Sequence, residues 1–139
     1  MAKPAHTPRP GRSFVTTATY GRRPIFETTR IAELFIEILL HYRTLGHYKL
    51  HAYVVMPDHV HLLLTPTGKT LSETMNLIKG RFSRKITSAF PIWQRGFADH
   101  LVQSKPDFET RRNYIHQNPV RARLAEAPEH YPYSSATTP

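Results

Sequence analysis

The chain has 139 residues, no cysteine and a formal net charge of +9 with histidine neutral. Its hydrophobic content of 40% and aromatic content of 11% exclude disorder throughout, and its length suits one domain with a real core. The missing cysteines exclude a disulfide framework, a thiol nucleophile and Cys-ligated zinc, while a sequence pI of about 10.2 points to a polyanionic partner, nucleic acid before an acidic membrane.

No apolar leader segment opens the chain and no run reaches transmembrane length, so a cytoplasmic, nucleoid-associated protein with no membrane partner is expected. Met1 to Arg12 mixes prolines with Lys3, Arg9 and Arg12 and reads as a flexible basic arm, leaving 13–139 as a single domain. Ser13 to Tyr20 is β-branched and aromatic, the pattern of a first strand broken by Gly21-Arg22-Arg23-Pro24. Between Thr29 and Leu45, Ile31, Leu34, Phe35, Ile38, Tyr42 and Leu45 keep helical spacing, with Gly46 as the stop.

His47 to Met56 and His59 to Thr65 read as two strands joined by Pro57-Asp58 into a hairpin. Thr70-Leu-Ser-Glu73 has the form of a capping box, and Leu71, Met75, Ile78, Phe82, Ile86 and Ala89 mark one face of a second helix. Lys79, Arg81, Arg84 and Lys85 flank that stripe. A fourth strand is expected around Phe97 to Val102 and a third helix from Asp107 to Gln117, stopped by Asn118-Pro119. The tail from Val120 reads as irregular. The order β-α-β-β-α-β plus a helix predicts an α+β, ferredoxin-like (split βαβ) antiparallel sheet with helices on one face and an added C-terminal helix.

The strand from His59 carries the most specific chemistry. Side chains alternate along a strand, so His59 and His61 leave one face together while Val60, Leu62 and Leu64 anchor the other. Two imidazoles side by side can share a divalent metal ion, although an isolated His-x-His more often marks the wet side of a strand. Tyr114 and Asn118 shift that balance. Four apart on the added helix, they are neighbours on one face. If that helix crosses the open face of the sheet, a phenol and a carboxamide oxygen arrive beside the imidazoles. Asn118 would be a third metal ligand, and Tyr114 a nucleophile whose attack on a phosphodiester conserves the bond energy for rejoining.

The motifs Met56-Pro-Asp-His-Val-His-Leu-Leu and Tyr114-Ile-His-Gln-Asn-Pro-Val-Arg-Ala together resemble those of the HUH single-tyrosine transposases of insertion sequences. The match is closest to the REP-associated tyrosine transposases, and it extends to Gly21-Arg-Arg-Pro-Ile-Phe26, Leu71-Ser72, Ile92-Trp-Gln-Arg95 and Tyr131-Pro-Tyr-Ser-Ser135. The resemblance implies that His59 and His61 hold Mg²⁺ or Mn²⁺, that Tyr114 is the nucleophile and that Asn118 is the third ligand, with Gln117 its substitute if the helix ends early. It implies a substrate of single-stranded hairpin DNA, such as REP-like palindromes, cleaved to a 5′-phosphotyrosine link and a free 3′-OH. Relatives work as monomers or as helix-swapped homodimers. Where the family usually has Gly-Leu-Val after Arg-Ala, this chain has Arg123-Leu124-Ala125, which puts the local turn in question.

DNA contacts are expected from Arg22, Arg23, Lys79, Arg81, Arg84, Arg111, Arg112, Arg121 and Arg123 on phosphates. Trp93 and Arg95 are expected to stack on or clamp bases, a buried role for Trp93 being equally open. The rival reading is a non-catalytic ferredoxin-like nucleic-acid-binding module, which leaves the His pair and Tyr114 without a purpose.

Overall fold

The structure, a computed structural model, describes residues 11–137. Most of the expected basic arm and the last two residues of the 13–139 domain lie outside the described residues. In chain order the main elements are β1 (Ser13–Ala18), α1 (Thr29–Thr44), β2 (Tyr48–Met56), β3 (His59–Pro66), α2 (Leu71–Lys85), β4 (Ala98–Leu101) and α3 (Lys105–Arg121). The strands form one antiparallel sheet in the order β2-β3-β1-β4, the split βαβ arrangement that the element order predicts.

Period-two alternation divides the sheet into two faces. Val15, Val60, Leu62 and Leu64 point to one side, where α1 supplies Phe35 and Leu39 and α2 supplies Met75, Ile78 and Phe82. Phe14, Ala52, Val54 and Leu63 point to the other, where Ile115 of α3 packs on them. The helix starts are local chemistry. Thr70 accepts from the Glu73 amide at 3.0 Å while the Glu73 carboxylate accepts from the Thr70 amide at 2.9 Å, the expected reciprocal box. At α3, the Ser104 hydroxyl accepts from the Asp107 amide at 3.2 Å, so the helix begins earlier than the Asp107 start expected.

At its far end α3 also departs from expectation. Asn118-Pro119 does not stop it; the helix runs through Pro119 to Arg121. The proline ring is buried under the last turn, and the only intrahelical bond it forfeits is its own donation to the carbonyl four residues back. The amide of Ala122 donates to Asn118 at 3.0 Å and that of Leu124 to Pro119 at 2.8 Å, which close the terminus. Arg123 then turns the chain at φ 61°, the left-handed conformation that glycine adopts without strain.

The C-terminal tail is more ordered than the sequence suggests. The Val55 amide donates to the Tyr133 carbonyl at 2.8 Å, Tyr131 Oη donates to the Val55 carbonyl at 2.7 Å, and Ser135 Oγ bonds both backbone groups of Tyr53. The tail thereby covers the outer edge of β2, which would otherwise present unpaired amides and carbonyls. Ser135 Oγ also lies 3.0 Å from His116 Nε2, tying the tail to α3.

Because Arg123 occupies a left-handed position, Arg123→Gly should raise the free energy of unfolding by about 1 kcal/mol and Arg123→Ala should not. Urea denaturation of the three proteins, followed by circular dichroism, checks this.

Candidate active site

β3 delivers His59 and His61 to the face that α3 covers, as the alternation predicts. Their rings meet edge to face with centroids 4.7 Å apart. Each imidazole is fixed through Nδ1. His59 Nδ1 lies 2.7 Å from Asp58 Oδ1, so the carboxylate accepts the Nδ1 proton and leaves the Nε2 lone pair free. His61 Nδ1 lies 2.9 Å from Thr16 Oγ1, a partner supplied across the ladder because Thr16 stands opposite His61 in the β1–β3 register. Phe14, two residues earlier on β1, stacks on the His61 ring at 5.4 Å with 16° between planes.

Tyr114 reaches this group from α3. Its ring meets His61 at 5.4 Å and Phe14 at 5.9 Å, both edge to face, while 43% of the residue remains exposed. The phenol is therefore held at the mouth of the site and open to a substrate. Arg121 flanks it, with its guanidinium 4.4 Å over the Tyr114 ring and Nη2 donating to the Tyr114 carbonyl at 3.1 Å. Arg111 lies 5.4 Å over the Phe14 ring, and its Nε is 3.3 Å from Asp107.

The electrostatics keep His61 uncharged. Burial of the ring, then the neighbouring His59, Arg121 and Arg22, push its pKa down to about 3. A neutral imidazole is the metal-ligating form. Among the described residues no group of three His, Cys, Asp or Glu is placed to hold a metal ion; the two imidazoles are the pair that β3 presents. Asn118 is half-buried, one helical turn beyond Tyr114 on the same flank, whereas Gln117 is exposed on the next.

The loop between β1 and α1 braces the site from the opposite end. The amide and hydroxyl of Thr19 donate to the Asp58 carbonyl at 3.0 and 3.1 Å, and the Phe26 amide donates to Pro57 at 3.0 Å, which clamps the hairpin turn that bears Asp58. Arg22, at φ 56°, places its Nε 3.5 Å from Asp58 Oδ2.

The remaining predicted contacts divide by location. Arg22, Arg111 and Arg121 surround the His–Tyr group; Arg112 lies over Phe108 on the other flank of α3, and Arg123 is exposed at its end. Lys79, Arg81 and Arg84 ride on α2, behind the sheet. Lys79 Nζ donates to the Gly96 carbonyl at 2.8 Å, and Arg23 Nη2 donates to the Pro91 carbonyl at 2.8 Å, so both hold the irregular segment before β4. Arg95 is exposed in that segment. Trp93 is half-buried against the core. Its ring packs among Phe26, Phe35 and Phe82 and its indole N–H donates to the Lys79 carbonyl at 3.2 Å, which leaves core packing rather than base stacking as its role.

Sequence reasoning did not identify Thr16, Phe14 or Asp58 as members of the site. Asp58 precedes His59 and was legible as a turn residue only; Thr16 and Phe14 are separated from His61 by more than forty positions, and the strand register alone brings them there.

Comparison with known proteins agrees with this architecture. A family profile described as "Transposase IS200 like" matches residues 13–118. A Haemophilus influenzae protein provisionally named a REP-associated tyrosine transposase is 29% identical over 110 residues, covering 67% of this chain. The chain spans 62% of that relative's length. Among solved structures, a REP-associated tyrosine transposase bound to a REP hairpin superimposes with TM-score 0.81 at 25% identity, over 97% of this chain and 82% of the other. A provisionally assigned transposase from Deinococcus radiodurans gives TM-score 0.58, also at 25% identity, over 83% of this chain and 95% of the other.

Since His61 is depressed from 6.5 to about 3 in the fold, the unfolded chain binds this proton at a higher pH than the folded one. The stability that a neutral His61 contributes is complete above pH 6.5 and is lost as pH falls toward 3. Denaturant midpoints should therefore decline across that window, less steeply in His61→Asn, and the His61 ring resonances should not titrate between pH 5 and pH 8 in NMR spectra.

Proposed function

The chain belongs to the IS200-like transposase family, and from that premise we propose that it nicks and rejoins single-stranded hairpin DNA through a 5′-phosphotyrosine intermediate at Tyr114. The observation that carries this reading is the phenol of Tyr114 standing half-exposed against His61, 5.4 Å between ring centroids, with His59 next to it. A packed helix residue has no need of two fixed imidazoles beside it, nor of a guanidinium over its ring.

Two imidazoles and a carboxamide oxygen, completed by water and phosphate oxygens, would accept a divalent ion such as Mg²⁺ or Mn²⁺. Nδ1 of each histidine is engaged by Asp58 or Thr16, so the two Nε2 atoms would hold the ion, with the Asn118 carboxamide oxygen as the third protein ligand. When bound, the ion polarises the scissile phosphate and stabilises the departing oxygen.

Tyr114 Oη attacks phosphorus and loses its proton to solvent. The new O–P bond replaces the bond to the 3′ oxygen, which leaves, takes up a proton and becomes a free 3′-OH. A 3′-OH attacking the same phosphorus later reverses the step, and no nucleotide triphosphate is needed. Phe14 and Arg121 hold the ring in place, and Arg111, Arg121 and Arg22 offer cations to the phosphates on either side of the attacked one. The partner is read as DNA from the +9 charge and from the relative whose structure was solved with a REP hairpin. No helix among the described residues is long and apolar enough to cross a membrane; the proposed action on chromosomal strands would put the protein at the nucleoid.

Labelled single-stranded hairpins from the protein's own genome, incubated with Mn²⁺ and run on denaturing gels, should give a slowed protein band. Tyr114→Phe, His59→Ala and EDTA should each abolish it. Tight hairpin binding without an adduct under any metal would instead support the non-catalytic binding module. Asp58→Asn should keep the fold but weaken Mn²⁺ binding by about 10- to 100-fold, measured by titration calorimetry.

A further inference from the structure

Three of the large apolar side chains exposed among the described residues are aromatic: Tyr114, Tyr20 at 50% and Phe90 at 62%. Tyr114 has its part in the proposed reaction. Tyr20 and Phe90 belong to neither core cluster, so each keeps a ring face open to a partner.

These two rings sit on segments that are bonded to each other and to the site. The Tyr20 amide donates to the Ile92 carbonyl at 2.9 Å. Arg23 donates to the Pro91 carbonyl at 2.8 Å, and its guanidinium lies 5.1 Å over the Phe90 ring. Between Tyr20 and Arg23 stands Arg22, whose left-handed backbone at φ 56° is costly for a side chain other than glycine. That conformation sends its guanidinium to Asp58, 3.5 Å away, and Asp58 holds His59 at 2.7 Å. Tyr20 and Phe90 thus sit on segments bonded to each other, and Arg22, two residues beyond Tyr20, links that pair through Asp58 to His59.

We propose that Tyr20, with Arg22 near it in the chain, and Phe90, held under Arg23, form a stacking platform for the unpaired bases that adjoin the hairpin. The proposal rests on the single-stranded DNA substrate argued above and specifies where its unpaired part lies. Proteins that bind single strands combine cations along the backbone path with rings on which bases stack, and every base has a face to offer. Asp58, the acidic group at the junction, is engaged by Arg22 at 3.5 Å and by the His59 Nδ1–H at 2.7 Å, so a phosphate passing Arg22 meets a carboxylate already bonded on both oxygens.

The test uses the full chain carrying Tyr114→Phe, so that binding is read without cleavage. Fluorescent palindromic hairpins from the same genome are compared with the same hairpins bearing a run of thymidines at the 5′ or the 3′ end. Tyr20→Ala and Phe90→Ala should each weaken binding of an extended hairpin by about five- to a hundredfold and leave the unextended hairpin unchanged. Tyr20→Trp should retain the affinity, and Leu45→Ala, which removes an exposed apolar side chain from the end of α1, should have no effect. Photo-crosslinking of an iodouracil placed in the extension should label Tyr20 or Phe90 in protein that carries both rings, a readout independent of how the alanine variants fold. Equal loss on all substrates, or no loss on extended ones, would overturn the platform. If the parent chain binds no hairpin at all, the transposase reading falls with it; if it binds and, with Tyr114 restored, forms the adduct while the alanine variants bind normally, only the platform falls.

Discussion

The register between β1 and β3 is the constraint on which the site depends. With Thr16 opposite His61 and Ala18 opposite His59, one sheet face carries both imidazoles, the hydroxyl that fixes one of them and the Phe14 ring beneath. A slip of one residue would send every side chain of one strand to the opposite face. The register is protected by the apolar residues between these positions: Val15, Val60 and Leu62 are fully buried against α1 and α2. Packing on one face thus sets the geometry of the polar groups on the other.

The tyrosine helix is held differently. Only Ile115 and Pro119 of α3 are buried, too little apolar surface for a helix of this length to dock by itself. Polar and aromatic ties make up the difference. His100 and Arg111 meet Asp107 at the first turn, at 2.8 and 3.3 Å, Phe108 meets the His51 ring at 5.6 Å, and His116 reaches Ser135 at 3.0 Å. The Asp107 carboxylate, held down to about 2 by the Gln103 amide and then by His100 and Arg111, stays ionised at neutral pH. The tail therefore has a purpose beyond sealing the β2 edge: its serine braces the helix that carries Tyr114.

Several short strings in the sequence acquire a mechanical meaning from these contacts. Gly21 to Phe26 is the strap that clamps the Pro57–Asp58 turn, and Ile92 to Gln94 extends the line of β1 through bonds to Tyr20 and Ala18 at 2.9 Å each. The basic residues divide accordingly into those that hold loops, Lys79 and Arg23 foremost, and those left near the site. A charge count does not make that division, because a guanidinium bonded to a carbonyl and one facing a phosphate are the same in sequence.

What the sequence determined by itself is what local periodicity and local capping encode. The split βαβ order, the shared face of His59 and His61, the Thr70–Glu73 box and the neighbourhood of Tyr114 and Asn118 on one helical flank all follow from spacings of two, three or four residues, which backbone geometry converts directly into direction. The end of α3 misled because the rule that helices stop before proline weighs only the lost hydrogen bond and the steric clash, whereas here burial of the ring and the Ala122 and Leu124 amide bonds offset them. Only the tertiary structure decided that Thr16 and Phe14 share the site, that Trp93 packs half-buried against the core and that the tail locks onto β2. Those outcomes depend on which strands pair and which faces meet, and they are settled by the burial of the whole apolar set rather than by any one segment.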